Sequence, residues 1–125
     1  MKGCRVLIAE DEALVALDLA DSLLQIGAEV VATTGLVREG LRFAETTTID
    51  VALLDFNLAD GVATPLAEAL QQRGAAVVFY SGRGVPEEAL QRVPGAAVLK
   101  KPLRFETIAG TLRACRPGLS SPARA

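Results

Sequence analysis

The sequence predicts a single α/β domain in which five parallel strands alternate with five helices packed on both faces of one sheet. Three observations point there. Short apolar runs alternate with segments whose apolar residues recur at helical spacing, the pattern of repeated strand–helix units with right-handed crossovers. The clearest runs, Val6-Leu7-Ile8-Ala9 and Val51-Ala52-Leu53-Leu54, are continuously apolar, which suits strands covered on both faces. Most runs end in a polar residue, and the carboxyl edge of an open α/β sheet is where ligands bind. With 125 residues, half of them apolar, the chain has material for one domain with a core and too little for two.

Arg5 to Ala9 reads as the first strand, closed by Glu10-Asp11-Glu12. From Ala13 to Ile26, Val15, Leu19, Leu23 and Ile26 share one helical face, flanked by Asp18, Asp21, Ser22 and Gln25, and Gly27 is the stop. Leu14, Leu17 and Leu24 form a second stripe away from that face. Glu29 to Thr33 reads as a second strand, shorter and weaker, and Thr34-Gly35 as a turn. A second helix is expected over Val37 to Ala44 with Leu41 and Ala44 inward, broken by Thr46-Thr47-Thr48. Val51 to Asp55 is the third strand, and Asn57 to Gly61 a loop with Asp60-Gly61 as turn signal. Thr64 as cap and Pro65 at the first position open a third helix that runs through Leu66, Ala69 and Leu70 to Arg73-Gly74.

Ala75 to Tyr80 is the fourth strand, followed by Ser81-Gly82 and a loop at Arg83-Gly84-Val85. Pro86-Glu87-Glu88 starts a short fourth helix, with acids at the positive end of its dipole, ending near Val93-Pro94-Gly95. Ala96 to Leu99 is the fifth strand, and Lys100-Lys101-Pro102 follows it. Phe105, Ile108, Leu112 and Cys115 give the last helix its inward face. The domain is placed at residues 1–116, and residues 117–125 are expected to be a flexible tail.

Composition narrows the chemistry. The formal net charge of −2 argues against a nucleic-acid or membrane-surface partner. The absence of histidine removes Ser-His-Asp and Cys-His catalysis. Cys4 and Cys115 are too few and too far apart for a zinc site or a disulfide framework, and read as buried or incidental thiols. The apolar run at Val6 is too short for a membrane span and meets acids at once, so a cytoplasmic location is expected.

The strand ends carry the functional signal. The first strand offers Glu10 and Asp11, the third Asp55 and Asn57, the fourth Ser81, the fifth Lys101. Each alone has a plain reading: a helix N-terminus, a strand-ending aspartate that caps a turn, an ordinary turn, a solvated loop. Together they converge on one crevice if the four strands are neighbours. Two like charges about 4 Å apart cost ~4 kcal/mol at an effective dielectric near 20, so three carboxylates must raise some pKa values or hold a cation. Oxygen ligands on an open edge suit Mg2+. A carboxylate nucleophile, a hard metal ion, a lysine and a hydroxyl are the parts that take up and stabilise a phosphoryl group.

Four motifs, Val6-Leu7-Ile8-Ala9-Glu10-Asp11-Glu12, Leu53-Leu54-Asp55-Phe56-Asn57, Tyr80-Ser81-Gly82 and Leu99-Lys100-Lys101-Pro102, carry a resemblance. Over about residues 4 to 115 the chain resembles the receiver domain of two-component response regulators. The resemblance implies a flavodoxin-like (βα)5 three-layer sandwich with sheet order 2-1-3-4-5. It implies that Asp55 accepts phosphate from a histidine kinase or a histidine phosphotransfer protein. Asp11, Asp55 and the main-chain carbonyl of Asn57 would ligate Mg2+, with Glu10 acting mostly through water. Ser81 would bond a phosphoryl oxygen, and Lys101 would pair with the phosphoryl group, its bond to Pro102 cis. The usual output surface is the fourth helix, fifth strand and last helix. Leu14, Leu17 and Leu24 are candidates for contact with a kinase helix bundle, although exposed leucines are common.

Three positions depart from the family. Val98 stands where an aromatic is usual, three residues before the lysine, which puts serine–aromatic coupling in doubt. Ala59 replaces the usual proline, and Gly82 a small alanine. The run Val78 to Gly84 is similar to a subgroup of single-domain α-proteobacterial receivers with a Phe-Ala-Thr-Gly-like motif at strand four. The expected function is a stand-alone phospho-switch whose output is protein contact or service as a phosphate sink. Its only chemistry would be transfer to Asp55 and autodephosphorylation, so it is not otherwise an enzyme. A haloacid-dehalogenase-type phosphatase needs an aspartate where Asn57 stands. The alternatives are a phosphorylation-independent binding module and a receiver fragment of a hybrid histidine kinase. Met1 opposes the fragment, and the tail leaves it open.

Overall fold

The two continuously apolar runs lie side by side in the middle of the sheet in the computed structural model, which describes residues 3–115. In chain order the elements are β1 (Arg5–Ala9), α1 (Ala13–Gln25), β2 (Glu29–Thr34), α2 (Val37–Thr46), β3 (Val51–Asp55), β4 (Asn57–Leu58), β5 (Gly61–Val62), α3 (Thr64–Gln72), β6 (Ala76–Ser81), α4 (Glu87–Arg92), β7 (Ala97–Lys100) and α5 (Phe105–Cys115). The main sheet is parallel with order β2-β1-β3-β6-β7, which is the expected 2-1-3-4-5 once the small β4–β5 pair is set aside.

Successive side chains point to opposite faces of a strand, so each strand feeds two cores. Leu7, Ala52, Leu54, Val77 and Phe79 pack against Ala44 of α2, Leu66 and Leu70 of α3 and Ala89 of α4. Val6, Ile8, Val51, Leu53, Val78 and Tyr80 pack against Leu19 and Leu23 of α1 and Ile108 and Leu112 of α5. All five residues of β3 are buried, as its unbroken apolar run requires. The outward stripe of α1 stands clear of this packing, with Leu14, Leu17 and Leu24 exposed. Cys4 is buried. Among the described residues no helix is long and apolar enough to cross a membrane.

Several expectations need correction. β2 is six residues long, not short. Its weak apolar signal reflects an edge position, with Val30, Val31 and Ala32 only half-buried and the register slipping opposite Val6 and Leu7. The loop expected at residues 57–61 contains an antiparallel hairpin, Asn57 opposite Val62 and Leu58 opposite Gly61, turning at Ala59 and Asp60. Gly61 has φ +141°, a conformation that side chains disfavour. Thr64 is the first helical residue, not the cap. The cap position is Ala63, so Pro65 sits second, where its missing N–H is still harmless. β6 and β7 each begin and end one residue later than expected, which makes Ser81 the last residue of its strand. Phe105 is exposed, and Leu103, ahead of the helix, packs on the α5-side core in its place. The inward Cys115 side chain and the tail at 117–125 lie outside the described residues.

Candidate functional site

Because β1, β3, β6 and β7 are parallel neighbours, their carboxyl ends share one edge. Asp55 lies opposite Tyr80, and Ser81 opposite Lys100. The amide of Lys101 continues this ladder, donating to the Ser81 carbonyl at 3.2 Å. The Lys101 side chain then turns back over β6. Its ammonium lies 5.2 Å from the centre of the Tyr80 ring, 3.0 Å from Asp55 Oδ2 and 3.5 Å from Glu10 Oε1. The Lys101–Pro102 bond is cis.

Both acids are buried and held on both oxygens. Asp55 Oδ1 accepts from the Asn57 amide at 3.2 Å. Glu10 Oε2 accepts from the Glu12 amide at 3.1 Å, and its Oε1 from the Tyr80 hydroxyl at 2.8 Å. Asp11 is exposed beside them, and one oxygen from each of Glu10, Asp11 and Asp55 lies within 4.8 Å of the others. Asn57 begins the β4–β5 hairpin with its side chain exposed. Ser81 shares the edge, but its hydroxyl serves its own loop. It donates to the Gly84 carbonyl and accepts from the Arg83 amide, both at 3.1 Å.

The electrostatics follow from burial. Desolvation raises the Glu10 pKa and the charge of Asp55 adds to the rise. The Glu12 amide, the Tyr80 hydroxyl and Lys101 offset part of it. Burial pulls Lys101 down, but the hydrogen bond and charge of Asp55 and the charge of Glu10 outweigh it, so its pKa is raised and the ammonium persists. Burial first, and then the charge of Glu10, pushes the Tyr80 phenol far above its ordinary range, so the hydroxyl stays a donor. With all groups ionised, three carboxylates and one ammonium leave two negative charges to be balanced. A hard divalent cation with oxygen ligands fits that donor set.

Tyr80 is the site residue that sequence reasoning missed. It ends the apolar run Val77-Val78-Phe79-Tyr80 and is fully buried. The available signal was that a buried tyrosine needs a partner for its hydroxyl.

Comparison with known proteins places this geometry. No protein-family model matches the chain. The transcriptional regulatory protein PdtaR of Mycobacterium tuberculosis is 38% identical over 110 residues, which cover 83% of this chain and 52% of PdtaR. The chain thus spans about half the length of the curated relatives it matches. The solution structure of SdrG from Sphingomonas melonis Fr1 is 36% identical, with a TM-score of 0.77 over 90% of this chain and 95% of that one. The receiver (REC) domain of the PhyR response regulator from Erythrobacter litoralis is 25% identical, with a TM-score of 0.80 over 98% and 96%.

Proposed function

Because the chain belongs to the receiver-domain family of response regulators, with its flavodoxin-like fold, we propose that it is a phospho-accepting switch with Asp55 as the acceptor. The observation that carries this reading is Lys101 Nζ at 3.0 Å from Asp55 Oδ2, in a cluster of three carboxylates. The donor would be a phosphohistidine on a histidine kinase or histidine phosphotransfer protein. A carboxylate oxygen of Asp55 attacks phosphorus, the new O–P bond forms, the N–P bond breaks, and the electron pair leaves with the imidazole. Mg2+, held by Asp11, Asp55 and the Asn57 carbonyl with Glu10 behind a water, would neutralise charge on the phosphoryl oxygens. Lys101 would follow one of those oxygens, and Ser81 would turn from Gly84 to donate to another. Hydrolysis of the acyl phosphate returns the switch to its start, so no other substrate is turned over.

The parts of the reading beyond the site have their own support. Membership of the single-domain α-proteobacterial subgroup rests on the resemblance carried by the run Val78 to Gly84. Output through a protein contact, or service as a phosphate sink, is supported by the place of the site, where Ser81 ties the loop that leads from the site edge to α4. The site's chemistry and partners suit a cytoplasmic protein.

Intact mass after incubation with Mg2+ and acetyl phosphate tests the proposal. The expected result is one added phosphoryl group, absent in Asp55→Ala. If no adduct accumulates, a beryllofluoride titration with Mg2+ decides, because it needs no turnover. Binding would indicate a short-lived phosphate, and its absence would overturn the switch.

A further inference from the structure

We propose that Tyr80 is a positioning residue of this site: its hydroxyl occupies the inner oxygen of Glu10 and so leaves Lys101 to Asp55. The proposal rests on the phospho-switch reading above. Its ground is a competition visible in the distances. The Lys101 ammonium has two buried carboxylates within reach, and it lies closer to Asp55, at 3.0 Å, than to Glu10, at 3.5 Å. Glu10 Oε1 is already served by Tyr80 at 2.8 Å, and Oε2 by the Glu12 amide. A carboxylate with a donor on each oxygen pulls less on a neighbouring cation. Without the hydroxyl, Oε1 would be a buried acceptor whose remaining donor among the described residues is Lys101. The ammonium would then move toward Glu10, away from where a phosphoryl group on Asp55 needs it.

Packing alone does not account for a tyrosine here. The side chain is fully buried, and a phenylalanine would fill the same apolar space beside Val78 and Leu53. The hydroxyl is the difference. Its short bond goes to a site carboxylate, while the Ala9 carbonyl lies at 3.5 Å, the outer limit of a hydrogen bond. The ring has a second part. It lies beneath the ammonium at 5.2 Å, within the range of cation–π attraction, and lines the path by which Lys101 crosses β6. Tyr80→Phe keeps ring and burial and removes only the oxygen.

The test is a double-mutant cycle on beryllofluoride affinity with Mg2+, using wild type, Tyr80→Phe, Glu10→Gln and the double variant. The Y80F change is expected to weaken binding roughly tenfold, the scale of one hydrogen bond to a charged group. In the E10Q background, where Glu10 no longer competes for the lysine as a carboxylate, the same change is expected to cost less than about twofold. A Y80F affinity within twofold of wild type would overturn the proposal, as would an equal loss in both backgrounds, which marks a purely structural role. If the wild type bound no beryllofluoride, the switch itself would fail. The Lys101 ammonium 15N shift, read without ligand, would then decide the Tyr80 proposal. A shift caused by Y80F only when Glu10 is present supports it, and no such shift overturns it.

Discussion

Lys101 bridges two buried carboxylates that would otherwise face each other across the sheet edge. Removing it leaves Glu10 and Asp55 repelling with no cation between them. Breaking a fully buried pair costs ~3–5 kcal/mol. The Lys101 side chain keeps 27% of its exposure, which admits water to the gap. Lys101→Ala is therefore expected to cost about 2 kcal/mol in urea unfolding at neutral pH, and Mg2+ should restore part of the loss by linkage. A variant as stable as wild type without Mg2+ would show that the carboxylates do not strain the fold. These residues were legible in the sequence because a charge that ends an apolar run needs a reason to be there. Tyr80 was not, because its ring belongs to the run and its hydroxyl partner lies 70 residues away. The orientation of Ser81 was equally hidden, since a hydroxyl can serve its own loop as well as a ligand.

The elements around the site are tied by contacts that no periodicity reveals. β4 and β5 have two residues each, too few to show alternation, yet their turn presents Asp60 to the start of α2. Its oxygens accept from the amides of Val37 at 2.6 Å and Arg38 at 3.2 Å, so a distant acid does the work of a cap that Leu36 cannot do. Those amide bonds, from Val37 first, hold the Asp60 pKa below its ordinary 3.8. A lowered carboxylate pKa means the unfolded chain binds the proton more readily. This stabilisation is complete above 3.8 and is lost as the pH falls from there through the lower folded value. Asp60→Asn should lose that part of the acid-side slope in thermal melts from pH 5 downward, and an unchanged slope would remove Asp60 from the account. Gly40 makes the opposite kind of contact. A Cβ there would sit 2.6 Å from Leu66 Cδ2, and Leu66 is fully buried. Alanine gains about 1 kcal/mol of helix propensity, but overpacking costs ~1–3 kcal/mol. Gly40→Ala is thus expected to destabilise by roughly 1 kcal/mol, read as a lower urea midpoint. A rise in the midpoint would mean that Leu66 finds another rotamer.

At the scale of the molecule, alternating strands and helices made the sheet order and the edge that carries the site readable, whereas β2 was misjudged because an edge strand is half-exposed. The path by which the site would act on the rest of the fold was less readable. Val98, exposed on β7 opposite Phe79, has no ring to swing inward. Ser81 offers another route, because its hydroxyl ties the following loop through Arg83 and Gly84. That loop leads into α4, which has only six residues. A helix so short depends on its packing rather than on its own cooperativity, here through Ala89 and Val93 in the core. If Ser81 turns to a phosphoryl oxygen, both loop bonds break at once, and the segment from Gly82 to Arg92 must settle again. Beryllofluoride with Mg2+ is therefore expected to change amide exchange mainly in residues 82–92, with β1 and the core of β3 unmoved. Ser81→Ala without ligand should speed exchange at the Arg83 amide, since the acceptor it uses is gone. A change spread evenly over the sheet, or an Arg83 amide indifferent to Ser81→Ala, would rule out this route.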